Sequence, residues 1–198
     1  FRSNYEKALA NLPYINSPVT ITRVDVYVMD TRGNAGDVQR DVVAFADLGE
    51  SQPVNTNINT ASGKELPQNG SNDLYQHLIS NPEYRNLTTT SYLLQTSPKQ
   101  LRDIKKKKKI QVRKLASNEY TFDPKLGYIS LNTSLNANQL LAVAYEYTTI
   151  FGGTYRVGEL GETLFTVDEE NKPRVLFLKM LKTTTNLPTH PMWNLMMK

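Results

Sequence analysis

Residues 118–150 constrain the fold of this chain more than any other stretch. Glu119, Tyr120, Thr121 and Phe122 are followed by a turn signal at Asp123 and Pro124, then by Leu126, Gly127, Tyr128, Ile129, Ser130 and Leu131. A polar link over 132–138 leads into the most apolar run, 140–147. Aromatic and β-branched residues between Pro, Gly and Asn punctuation suit a pleated, half-buried surface, so the stretch predicts three consecutive antiparallel strands. In the last of them Leu141, Val143, Tyr145 and Tyr147 share one face. Leu140, Ala142 and Ala144 give way to Glu146 on the other, which predicts one face buried throughout and a second that becomes wet toward its end.

The remaining pattern is of the same kind. Thr20, Thr22, Val24, Val26 and Val28 alternate with Ile21, Arg23, Asp25, Tyr27 and Met29, a strand whose valine face points inward. A Gly- and Asn-bearing loop over 30–37 then returns the chain to a second strand at 40–48. Further strands are predicted at 87–96, 110–115 and 175–181, and Gly152-Gly153 predicts a hairpin into 154–160. Helical patterns are short: 5–12, ended by Pro13, and 72–80, capped by Ser71 or Asn72 and closed by Pro82. Pro191 opens a final amphipathic turn with Met192, Trp193, Leu195 and Met196. Residues 50–70 are rich in Asn, Gln, Ser and Thr, with only Val54, Ile58 and Leu66 to bury, and read as an exposed loop. The fold expected is mainly β with minor α, an antiparallel β-sandwich-like domain with short peripheral helices.

At 198 residues the chain can build one sizeable core or two small ones, so a single unit over 1–198 and a subdivision at 1–100 and 101–198 both stand open. The sequence has no cysteine, which removes disulfides, thiolate nucleophiles and cysteine metal sites together. No apolar run approaches the roughly 18 to 20 residues of a membrane-spanning helix. The first residues, Phe1, Arg2, Ser3 and Asn4, lack an initiator Met and a signal-peptide pattern, and a fragment of a longer protein is expected.

The net charge of +4 is concentrated at five consecutive lysines, Lys105, Lys106, Lys107, Lys108 and Lys109, flanked by Arg102, Arg113 and Lys114. Single-stranded nucleic-acid sites interleave aromatics with such charges for stacking, and none occurs over 101–116. A solvated turn or an edge strand blunted by lysines is the better reading. Asp30, Asn34 and Asp37 supply oxygen ligands beside glycines, but their spacing departs from the calcium-loop pattern. Asp168, Glu169, Glu170 and Asn171 read as a solvated acidic loop.

Chemistry is sparse. The two histidines, His77 and His190, have no nucleophile elbow to serve, and His77 reads as an exposed or capping residue. There is no phosphate-binding glycine loop and no zinc motif. Asp47 and Glu50 form a candidate carboxylate pair that a turn explains equally well, and Asn86-Leu87-Thr88 and Asn132-Thr133-Ser134 match the glycosylation sequon. Tyr120, Tyr128, Tyr145, Tyr147 and Trp193 read as core rather than contact surface. No catalytic, cofactor-binding or metal residue is assigned, and no enzyme activity is expected.

An ordered set of runs carries a resemblance. Ser17-Pro18-Val19-Thr20-Ile21-Thr22-Arg23-Val24-Asp25-Val26 is followed by Ala44-Phe45-Ala46-Asp47-Leu48-Gly49-Glu50 and Asn118-Glu119-Tyr120-Thr121-Phe122. Leu126-Gly127-Tyr128-Ile129-Ser130-Leu131, Leu141-Ala142-Val143-Ala144-Tyr145-Glu146-Tyr147 and Tyr155-Arg156-Val157-Gly158-Glu159 come next. Leu176-Phe177-Leu178-Lys179-Met180-Leu181-Lys182 and Pro191-Met192-Trp193-Asn194-Leu195-Met196-Met197-Lys198 complete the set. Together they resemble a segment of the SprA/Sov family, the very large outer-membrane translocon proteins of gliding motility and type IX secretion. The resemblance implies a non-catalytic, water-exposed structural domain at the cell outer membrane or cell surface, on its extracellular or periplasmic side. It implies as partners the rest of the parent translocon, envelope proteins of the secretion system and secreted cargo, with no nucleic acid and with the membrane reached only through the parent. The lysine run is unusual for that family. An alternative from another class is a carbohydrate- or protein-binding β-sandwich module of the cell envelope.

Overall fold

The computed structural model describes residues 2–30, 41–99, 101, 111–161, 175–184 and 192. Two long strands organise them: β1, Val19–Asp30, and β6, Gln139–Thr149. They pair antiparallel over nearly their whole length, from Val19 opposite Thr149 to Asp30 opposite Gln139, with one irregularity between Ile21 and Arg23. β3, Gln111–Lys114, adds to the far edge of β1. Two strands share the other edge of β6: β7, Thr154–Val157, beside its end, and β8, Leu176–Lys182, beside its beginning. β2, Val42–Phe45, closes the order β2-β8-β6-β1-β3, with β7 on β6 off that path.

The main sheet is therefore mixed. β2 runs parallel to β8, Val42 opposite Leu176 and Phe45 opposite Lys179, where the sequence suggests a purely antiparallel arrangement with β2 returning alongside β1. Local patterning cannot distinguish these outcomes, because a strand buried on both faces carries no mark of its partner. All four β2 residues are buried, as that position requires. The expectation of three successive pairings over 118–150 is also corrected. β4, Tyr120–Phe122, and β5, Ile129–Leu131, pair only with each other as a separate two-stranded sheet, and β6 joins β1.

Alternation along the strands sorts side chains into two layers. Ala142, Ala144, Tyr27, Met29, Leu176 and Leu178 form one core with Leu160. Val26, Val28 and Val143 face the other way and are covered by Tyr120, Ile129 and Leu131 of the small sheet. Farther along, Val43, Phe45, Val175 and Phe177 meet Leu74, Leu78, Tyr84 and Leu94 of a helical layer. Full burial of each such side chain contributes about 1.5–3 kcal/mol. Both faces of β1 and β6 are thus buried at their centres, and the Leu140, Ala142 and Ala144 face stays dry until Glu146.

The helical layer comprises α2, Leu74–Ser80, a 3₁₀ turn, Pro82–Arg85, and α3, Leu87–Thr96. α3 corrects the strand expected at 87–96. Asn86 accepts from the Thr88 N–H at 3.0 Å, and the hydroxyls of Thr89 and Thr90 donate back to the Asn86 carbonyl, which starts a helix that β-propensity alone disfavours. Leu94, buried against the sheet, supplies the tertiary reason. α1, Arg2–Leu9, starts three residues before the predicted helix and sets Tyr5 edge-on against Tyr128 at 5.9 Å. Elements from both halves of the chain share the main sheet, since β1 and β2 precede residue 100 and β3, β6, β7 and β8 follow it.

Candidate functional site

The densest polar constellation lies at the seam between the helical layer and the sheet. Arg85, the last residue of the 3₁₀ turn, donates through both terminal nitrogens to the two oxygens of Glu159, each at 2.6 Å, and a third time to the Val175 carbonyl at 2.8 Å. Tyr75 from α2 donates to Glu159 Oε1 at 2.9 Å, and the Phe177 N–H donates to Oε2 at 2.9 Å. The guanidinium also sits 4.2 Å above the Phe177 ring. Glu159 is only 5% exposed, so a single carboxylate gathers partners from a helix, a turn and a strand in a low-dielectric setting.

Gly158 brings Glu159 to this place. Its φ of +75° turns the chain out of β7, and a Cβ there would lie 3.2 Å from the Ala144 Cβ and 3.3 Å from the Phe177 carbonyl. Asn69 completes the turn by exchanging side-chain hydrogen bonds with the Gly158 N–H and carbonyl. Burial pushes the Tyr75 phenol up to about 12, reinforced by the charge of Glu159. Burial works to lower the Arg85 pKa, but the bonds and charge of Glu159 outweigh it and leave it raised. The guanidinium is thus held charged and the phenol neutral.

A buried cation stands two residues along β8 from Phe177. Lys179 interrupts the apolar β8, faces the same side as Val143 and Phe45, and donates to the Ala46 carbonyl and to Glu50. Burial raises the nearby Tyr145 phenol well above its usual range, with Glu50 adding to the effect. Asp47 acts separately, accepting from the Val54 and Asn55 N–H groups at 2.8 and 3.2 Å. The proposed carboxylate pair therefore does two unrelated jobs, anchoring a loop and neutralising a lysine.

The third cluster corrects the reading of His77 as an exposed or capping residue. It is half-buried, with Nε2 3.1 Å from the Tyr84 hydroxyl and 3.3 Å from Ser97 Oγ. Both hydroxyls belong to buried residues, and Ser97 Oγ also accepts from the Lys99 N–H, so the histidine links α2 to the turns on either side of α3. Burial and then Lys99 lower its pKa, against a smaller opposing pull from Asp73. Asp73 itself is raised by burial, yet the bonds from Lys99 and Asn59 prevail and hold it below the usual value.

Other sequence candidates separate. Asp30 ends β1, while Asn34 and Asp37, the lysines 105–109, the acidic loop 168–171, His190 and Trp193 lie outside the described residues. Arg113 and Lys114 pair with Glu119 and Asp25 at 2.5 and 2.8 Å. Asn86 is exposed and caps α3, whereas Asn132 donates to the Asn118 carbonyl at 2.6 Å. Tyr147 is fully buried, stacked on Tyr155 at 5.3 Å and donating to the Pro67 carbonyl, while Tyr120, Tyr128 and Tyr145 are half-buried. Met192 is buried, and its sulfur accepts from the Thr183 N–H. No cluster of three or more metal-ligating side chains occurs among the described residues. No described helix is long and apolar enough to cross a membrane.

The chain matches no family model, and no curated protein matches it.

Sequence reasoning missed the Arg85, Glu159 and Tyr75 group altogether. Arg85 and Glu159 lie 74 residues apart, and nothing in either neighbourhood marks them as partners. Lys179 did carry a signal, a charged residue at an inward position of an otherwise apolar strand, which demands a buried acceptor.

Proposed function

We propose that this chain is a non-catalytic structural domain of a large outer-membrane export assembly of the type IX secretion and gliding-motility kind, at the cell outer membrane or cell surface. Its role is mechanical and interfacial. The small β4–β5 sheet laid on the main sheet would be the second layer of a small sandwich, a wall that shapes a channel and contacts the parent translocon, envelope proteins and passing cargo. The observation that supports this reading is the use of the polar side chains. Glu159, Arg85, Tyr75, Asp47, Glu50, Lys179, Asp73 and His77 all fasten one element to another. In each of these clusters the partners are the protein's own, the arrangement of a fastening between elements.

The test is export by the full-length parent carrying variants in this segment. Glu159→Ala, which loosens the wall, should reduce secretion of cargo, whereas His77→Gln, which retains a polar group at the link, should leave it near the wild-type level. Loss of secretion with His77→Gln at full protein abundance, or normal secretion after removal of residues 1–198, would sink the proposal. A second reading, a carbohydrate- or protein-binding module of the cell envelope, is favoured by the exposed rings of Tyr14, Tyr92 and Phe151. Glycan binding that Tyr92→Ala or Tyr14→Ala abolishes would select it.

A further inference from the structure

The β6–β7 hairpin ends in an exposed apolar tip. Phe151 is 91% exposed and Ile150 69% exposed, at the apex of a turn in which Gly152 and Gly153 both take positive φ. Large apolar side chains on a convex tip gain nothing in water, and a turn built only to reverse the chain would take polar residues there. Beside the tip the chain enters β1, where the Pro18 carbonyl accepts from the Ile150 N–H at 3.0 Å. That entering segment carries three more exposed apolar residues, Leu12, Tyr14 and Ile15. Neither stretch contains a charge: residues 8–22 and 147–155 lack Asp, Glu, Lys, Arg and His in a chain that is 21% charged.

Part of the backbone at the tip is satisfied from within. The Gly152 N–H donates to the Thr149 carbonyl at 3.0 Å, and the Thr149 hydroxyl donates to the Gly152 carbonyl at 2.7 Å. Shallow entry to headgroup depth leaves the other polar groups of the turn within reach of water and headgroups, so the penalty of the hydrocarbon core is not met. A protein partner fits less well. The two side chains foremost on the apex, of which the phenylalanine offers roughly 150–250 Å², cover only part of the about 800 Å² per partner that a stable protein interface buries. A fluid bilayer surface needs no matching groove, and an aromatic ring with an aliphatic neighbour is at home among headgroups and upper acyl chains.

We propose that the 149–153 hairpin tip, with Ile150 and Phe151 foremost, dips into the interfacial region of a lipid bilayer and fixes the orientation of the domain on it. This inference does not rest on the export reading, and a failed export assay would leave it standing. The test is flotation of the full chain with phosphatidylcholine vesicles, with and without added phosphatidylglycerol, at low salt and at about 0.5 M salt, where charge attraction is screened within a few ångströms. Binding to the zwitterionic vesicles that survives high salt is expected, weakened about tenfold by either Ile150→Ser or Phe151→Ser. Thermal melts of both variants should match the wild type, because neither side chain is packed. Absence of binding to phosphatidylcholine, equal binding by the double variant, or binding only to anionic vesicles at low salt would each overturn the proposal. So would self-association without lipid that the two substitutions abolish, since the occupant would then be a second copy of the chain.

Discussion

Replacing Glu159 by alanine removes the acceptor that joins the helical layer to the sheet, and the structure sets the size of the effect. Arg85 loses two charge-assisted hydrogen bonds while 81% of its side chain stays out of water, since it is 19% exposed. Its remaining bond to the Val175 carbonyl and its position over Phe177 do not neutralise it. The Phe177 N–H, buried in β8, loses its acceptor, which by itself costs about 1–3 kcal/mol. A broken buried ion pair costs about 3–5 kcal/mol, and that range already includes the stranded partner. A loss of about 3–5 kcal/mol is therefore expected in urea unfolding of the isolated chain, read as a lower midpoint at unchanged slope. Arg85→Leu alone should cost a similar amount. The double variant should cost much less than the sum, with a coupling of about 1.5–3 kcal/mol. Strict additivity, or a Glu159→Ala protein within about 0.5 kcal/mol of the parent, would show that the network does not hold the layers together.

Two glycines with the same backbone sign separate strain from packing. Gly152→Ala meets open space and should cost about 1 kcal/mol, whereas Gly158→Ala also presses on Ala144 and the Phe177 carbonyl and should cost about 2–4 kcal/mol. Equal denaturation midpoints for the two would refute the close approach. Because the folded-state pKa of His77 lies below its ordinary 6.5, the unfolded chain binds the extra proton first as pH falls. The His77 contribution is thus present above about pH 6.5 and is lost on acidification through the lowered value, a slope that His77→Gln should flatten in melts between pH 7.5 and 5. At the alkaline end the unfolded chain loses the Tyr75 proton near 10 while the folded chain holds it to about 12. Stability should fall with rising pH across that window, and less steeply in Tyr75→Phe.

Period-two alternation over 19–30 and 140–147 marked the two strands that become the spine, because each must present apolar groups to a layer on either side. Turn chemistry was equally local. The glycines at 152 and 153, and Asp123 accepting from the Lys125 and Leu126 N–H groups, close hairpins that the residues themselves specify. Pairing was another matter. β6 could have continued the β4–β5 hairpin, and β2 could have lain beside β1. The choice of β1 for β6, and of a parallel β8 for β2, follows from which arrangement buries both faces of the long strands at once. Residues 87–96 became a helix for the same reason, since that conformation packs Leu94 into the cluster that holds Phe45 and Phe177. Arg85 and Glu159 are the limiting case. A charge can be buried only where its partner arrives, and the partner arrives through a fold that brings residues 74 apart within 2.6 Å.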